Sequence, residues 1–165
     1  MHTSTLLDSW DDLMNRDPSA LRELIPRSSA VKVHVVAQDE RESNLRAILN
    51  FGHTAGHGIE RASGYGVVSH GQAVAAGMAI ALRISDNVYP TGERRDAWRL
   101  LSRLGWPTLR DFDFEEVLDA ITYDKKRQAG QMRFVLLPET GHPELRPDIT
   151  TRDIRAAWNS LSQTP

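Results

Sequence analysis

The sequence predicts a mainly helical, bundle-like domain with one small β-strand or hairpin element near residues 131–137, and three observations carry that expectation. Gln72 to Ser85 includes Ala73, Ala75, Ala76, Gly77, Ala79 and Ala81, small side chains on all sides of a helical repeat. Such a helix packs among others at short interaxial distance, as the interior member of a bundle. Arg46, Asn50, His53, His57 and Glu60 recur every three or four positions, so on a helix of about 3.6 residues per turn they form one polar stripe. Met132 to Leu137, reading MRFVLL, is the one convincing strand, and Pro138 to Pro147 reads as a turn-rich loop.

Taken in order, Leu6, Leu7, Trp10, Leu13 and Met14 have helical spacing over residues 4–15, and Asp17-Pro18 stops that helix and starts another carrying Leu21, Leu24 and Ile25. Pro26 interrupts the pattern. Val31 to Val36 then fits a strand by composition, or a resumed helix with Ala30, Val33 and Ala37 facing a core; local pattern leaves both open. Asp39 to Arg46 is charged. Leu45, Ile48, Leu49 and Phe51 begin the apolar side of the central helix, within which Gly52 and Gly56 each cost about 1 kcal/mol relative to alanine. A close approach to that backbone is the expected reason. Ala62 to Val68 is a loop, and His70 stands at the start of the small-residue helix. Glu93 to Leu104 is amphipathic and ends at Gly105-Trp106-Pro107. Asp113 can cap a helix reaching Lys126, and Thr150 or Thr151 can cap a last helix with Ile154, Ala157, Trp158 and Leu161 on one side.

The 165 residues suffice for one domain with a real core, so the expectation is a single domain over 1–165. Hydrophobic residues at 40%, charged residues at 25% and a net charge of −2 describe a globular chain without a field for nucleic acid or anionic membrane. No stretch approaches the roughly 20 apolar residues of a membrane span, and no signal-peptide pattern opens the sequence, so a cytoplasmic soluble protein is expected. The absence of cysteine excludes disulfides and thiolate ligands, which leaves any metal to nitrogen and oxygen donors.

Zinc accepts imidazole and carboxylate donors, and catalytic zinc sites keep a position open beside three protein ligands. His53 and His70 are the natural pair if the intervening loop folds back, with His57 a third ligand or a neighbour handling protons or anions. Thr54, Ala55 and Gly56 separate His53 from His57, so the glutamate base of zinc proteases is absent and an unrelated zinc hydrolase is disfavoured. Lys32, Arg46, Lys125 and Lys126, with Asn50 and His57, could line a pocket for a substrate bearing carboxylate and phosphate.

Lys32, Asp39-Glu40-Arg41-Glu42, Arg46, the run Leu49-Asn50-Phe51-Gly52-His53-Thr54-Ala55-Gly56-His57-Gly58-Ile59-Glu60, Gly64-Tyr65-Gly66 and His70-Gly71-Gln72-Ala73-Val74-Ala75-Ala76-Gly77-Met78 follow one another in a familiar order. With Asp124-Lys125-Lys126, Gly130 and Arg133 to Leu137, they resemble the C-terminal domain of the 3-dehydroquinate synthase family of sugar phosphate cyclases. The resemblance implies a helical domain, which favours helix over strand for 28–38. It also implies NAD- and zinc-dependent conversion of a phosphorylated seven-carbon sugar acid into a carbocycle with loss of phosphate, in the shikimate pathway of aromatic amino acid biosynthesis.

Carried over by position, His53 and His70 resemble the histidine zinc ligands. Asn50 and His57 resemble groups around the substrate phosphate, and Lys32 and Arg46 resemble groups at its carboxylate and hydroxyl end. Glu42 matches a residue near substrate, and one or both of Lys125 and Lys126 match a substrate-binding lysine. His57, Lys32 and Arg46 are the expected catalytic residues. The family's third zinc ligand, a glutamate, and its NAD-binding N-terminal domain have no counterpart in this chain; Gln72 replaces a glutamate and Asn44 a glycine. The expectation is a chain that binds zinc weakly and is inert alone. It would be a fragment or one subunit of a split enzyme acting with a separate NAD-binding half, with a homodimer as a further assembly. The alternatives are a non-catalytic helical assembly or regulatory module, and a related cyclase of the amino-dehydroquinate, 2-deoxy-scyllo-inosose or valiolone type.

Overall fold

The computed structural model of the chain describes residues 3–39, 45–64, 67–127 and 132–163, without the side chains of Thr3 and of 124–127. Its α-helices are α1 (Thr3–Asp8), α2 (Trp10–Met14), α3 (Pro18–Gln38), α4 (His53–Ala62), α5 (His70–Val88), α6 (Arg95–Leu104), α7 (Phe114–Arg127) and α8 (Thr151–Ser162). Strands β1 (Phe134–Glu139) and β2 (His142–Arg146) form an antiparallel hairpin, pairing Phe134 with Arg146 and Leu136 with Glu144. The fold is thus helical with one small sheet, as expected.

The small residues place α5 at the centre. Ala73, Ala76, Ile80 and Ile84 pack with Ala55 and Ile59 of α4, Val117 and Ile121 of α7, Phe134 and Leu136 of β1, and Ile154, Ala157 and Trp158 of α8. Small side chains let α4 lie close to α5, because close backbone approach requires that nothing project between them. Caps start the helices where the sequence offers them. Asp113 accepts from the backbone N–H groups of Glu115 and Glu116, and Thr150 and Asp153 form a reciprocal capping box at α8.

Four expectations are corrected. Residues 4–15 form two short helices rather than one, with Ser9 between them. Residues 31–36 are helical within α3, which continues through Pro26, but Ala30, Val33 and Ala37 face no core: Val33 is 66% exposed and Val35 is the buried residue. Among the described residues the main neighbours of α3 are α2 and the 45–50 segment, and neither covers that face. The central helix is not continuous from Arg46. Leu45–Asn50 is a 3-10 helix, and Gly52 at φ +81° turns the chain before α4 begins, a conformation that glycine adopts without a Cβ clash. Finally, Pro138 to Pro147 contains β2, a polar edge strand stabilised by ladder bonds that its composition does not advertise.

Candidate active site

The three histidines singled out in the sequence meet on one side of the α4–α5 pair. His53 opens α4, His57 follows one turn later, and His70 occupies the first turn of α5. Their ring centroids form a nearly equilateral triangle, 5.6 Å for His53–His57, 5.6 Å for His53–His70 and 5.7 Å for His57–His70. His53 is half-buried, while His57 and His70 are exposed. Beneath the rings the two backbones are in contact, and a Cβ on Gly56 would stand 3.0 Å from the carbonyl oxygen of Ala73. The glycines that looked costly in the sequence thus set the separation of the helices carrying the imidazoles.

Two local devices hold the rings. The loop after α4 returns the chain to Ser69, whose hydroxyl accepts from the Gln72 backbone N–H while Gln72 Oε1 accepts from the Ser69 N–H at 3.0 Å. This capping box fixes the turn on which His70 stands. Gln72 therefore has a structural task toward the backbone that an uncharged amide performs. On the other helix, Glu60 lies 3.0 Å from His70, Oε2 to Nδ1. Donor atoms of His57, Glu60 and His70 all lie within 4.8 Å of one another. Glu60 belongs to the polar stripe seen in the sequence but had no role there; its spacing of three from His57 was the signal.

The other sequence candidates lie on neighbouring elements. Arg46, half-buried, and Asn50, exposed, sit on the 3-10 helix leading into α4, and the Arg46 backbone N–H donates to Asp39 Oδ2 at 3.0 Å. Asp39 is buried at the end of α3, so this bond ties α3 to the segment before the histidines. Lys32 is exposed on α3, beside Val33, Val36 and Ala37. Glu42 lies outside the described residues, as do the side chains of Lys125 and Lys126, whose backbone forms the end of α7.

A profile of the 3-dehydroquinate synthase C-terminal domain matches residues 2–127. The chain belongs to the 3-dehydroquinate synthase family. The 3-dehydroquinate synthase of Synechocystis sp. is 38% identical over 159 residues, covering 92% of this chain and 44% of its own length. That of Nitrosospira multiformis is 44% identical over 140 residues, covering 83% and 38%. Among solved structures, a 2-epi-5-epi-valiolone synthase from Streptomyces hygroscopicus subsp. jinggangensis 5008, solved with NAD+ and Zn2+ bound, superposes with a TM-score of 0.83 at 21% identity. It covers 98% of this chain and 46% of that one. A 2-deoxy-scyllo-inosose synthase superposes with a TM-score of 0.69 at 26% identity over 88% of this chain and 41% of that one. The chain spans less than half the length of these relatives, and within a 3-dehydroquinate synthase it corresponds to the C-terminal domain.

The site fits a divalent cation by its donor chemistry, since imidazole nitrogens gathered from two helices are zinc-type ligands. Among the described residues the strands form one two-stranded antiparallel hairpin. Also among the described residues, no helix is long and apolar enough to cross a membrane.

Proposed function

We propose that this chain is the metal- and substrate-binding half of a 3-dehydroquinate synthase-type cyclase, a phosphate-eliminating carbon–oxygen lyase, whose NAD-binding half is a separate domain or subunit. The observation that carries the reading is the triangle of His53, His57 and His70 across α4 and α5. In this reading residues 1–165 form one domain, and the substrate is a phosphorylated seven-carbon sugar acid. Assembly with a second copy and a cytoplasmic location accompany the proposal.

His53 and His70 would hold the metal. Bound there, a divalent cation polarises hydroxyl and carbonyl oxygens as a Lewis acid. His57 lies within reach of the same substrate region and is assigned to phosphate, where an imidazole stabilises the leaving group's charge or passes it a proton. Asn50, on the turn before α4, donates to the same phosphate. Lys32 and Arg46 receive the carboxylate and hydroxyl end, and two cations there favour a sugar acid over the neutral sugar phosphates of related cyclases. Glu42, Lys125 and Lys126 are assigned to substrate by resemblance alone. NAD, held by the other half, would supply the hydride acceptor and donor for the substrate.

The test is phosphate release in the presence of zinc, NAD and the seven-carbon substrate, with the chain alone and with a separately expressed nucleotide-binding half of a relative. The expected result is release by the mixture and none by the chain alone. Turnover by the chain alone contradicts the proposal. A second reading, a non-catalytic helical assembly or regulatory module, predicts binding of the other half without phosphate release.

A further inference from the structure

We propose that Glu60 is the positioning residue of the metal site, its carboxylate holding His70 as the Nδ1–H tautomer so that the Nε2 lone pair faces the cation. The inference rests on the reading that the histidine triangle binds a divalent metal. His70 Nδ1 lies 3.0 Å from Glu60 Oε2. An ionised carboxylate can only accept, so Nδ1 must carry the proton, and a neutral ring so fixed has its free lone pair on Nε2. Metal-bound histidines are commonly held in this way through their second nitrogen, which fixes the tautomer and raises ligand basicity.

The ring spacing agrees with a shared ion. With zinc about 2.1 Å from each nitrogen and the ring centre about 1.1 Å beyond it, two imidazoles on one tetrahedral ion have centroids roughly 5 Å apart. The observed His53–His70 separation of 5.6 Å needs a contraction of only a few tenths of an ångström.

Gln72 cannot take this role, because its Oε1 already accepts from the Ser69 backbone N–H and hydroxyl. The carboxylate instead comes from the other helix, one turn after His57, and couples α4 to the first turn of α5. The Glu60 and His70 side chains are 41% and 54% exposed. The hydrogen bond therefore adds little to stability, whereas the tautomer it selects decides which nitrogen is offered to the metal.

The experiment uses the full chain with labelled histidines. In the metal-free protein at pH 8, two-bond proton–nitrogen correlation spectra should show His70 as the Nδ1–H tautomer. Glu60→Ala should move it toward the Nε2–H form that a free imidazole prefers. Calorimetric titration with zinc should then show affinity reduced about 10- to 100-fold in Glu60→Ala. Glu60→Gln, which keeps the shape but not the charge, should also be weakened and serves if the alanine variant folds poorly. Visible bands of the cobalt-substituted wild type and variant should coincide, because Glu60 is not a ligand in this scheme. Equal zinc affinity in wild type and Glu60→Ala, an unchanged His70 tautomer, or cobalt bands altered by the substitution would each overturn the inference while leaving the metal reading intact. A wild-type chain that takes up no zinc overturns both.

Discussion

A Cβ on Gly77 of α5 would stand 2.0 Å from the carbonyl oxygen of Gly52, just ahead of α4, and 2.6 Å from the backbone nitrogen of Gly56. Both neighbours are backbone and cannot rotate away, so Gly77→Ala must push the two helices apart. The expected cost is about 1–3 kcal/mol or more in urea unfolding. Gly71, with nothing within 4 Å of an added Cβ, is the control: Gly71→Ala should leave stability unchanged or raise it by up to about 1 kcal/mol. Equal effects from the two substitutions would contradict the close α4–α5 contact.

Gln72→Glu tests the capping box. The carboxylate keeps the acceptor for the Ser69 N–H and places negative charge in the first turn of α5, where it interacts favourably with the positive end of the helix dipole. Stability at low salt should rise by about 0.3–1 kcal/mol and the gain should shrink in high salt, as read from denaturant midpoints. A loss of stability would show that Gln72 has another partner.

Asp17 gives the fold a dependence on acid. It accepts from the Ser19 hydroxyl and from the backbone N–H groups of Ser19 and Ala20 at the start of α3, and the hydroxyl bond is the largest influence holding its pKa below the ordinary 3.8. A carboxyl whose folded pKa is depressed contributes stability above its unfolded value and loses it as pH falls through the lower folded value. The contribution should be intact near pH 5 and disappear below 3.8. Unfolding midpoints of wild type and Asp17→Asn, measured from pH 6 to pH 2, should converge in that acid range; a constant difference would contradict the assignment.

Arg94 locks the hairpin to the helices. Its side chain, 3% exposed, bonds Asp86 Oδ1 at 2.8 Å and the carbonyl oxygens of Tyr89, Leu137 and Pro138. Arg94→Ala leaves those acceptors without their donor, and the expected loss is about 3 kcal/mol in chemical denaturation. A loss below about 0.5 kcal/mol, the range of ordinary surface substitutions, would show that the network is replaceable by water.

These cases show what the chain made legible. The alanines of α5, the caps at Asp113 and Thr150, and the shared face of His53 and His57 were readable, because spacing and side-chain size act locally; the pairing with His70 rested on the intervening loop folding back and on the family resemblance. Gly52 was misread as helix-internal: it turns the chain at φ +81° ahead of α4, and an added Cβ would meet Val74 and Met78 of α5, a long-range contact. Arg94 was not singled out in the sequence, since only the folded chain brings the Leu137 and Pro138 carbonyls to it. Val33 looked like a core residue because helical periodicity shows that a face is apolar, not what covers it. Glu60 was visible one turn after His57, but its partner His70 lies ten residues on, across a loop whose path the sequence did not dictate.

The measurement that bears most directly on the account is a calorimetric zinc titration of the wild-type chain, His53→Ala and His70→Ala. The account predicts a single zinc per wild-type chain and at least about tenfold weaker binding in each variant, since each removes one imidazole donor. Zinc bound equally well by all three proteins would contradict the assignment of the α4–α5 histidine triangle as the metal-holding wall of a cyclase site.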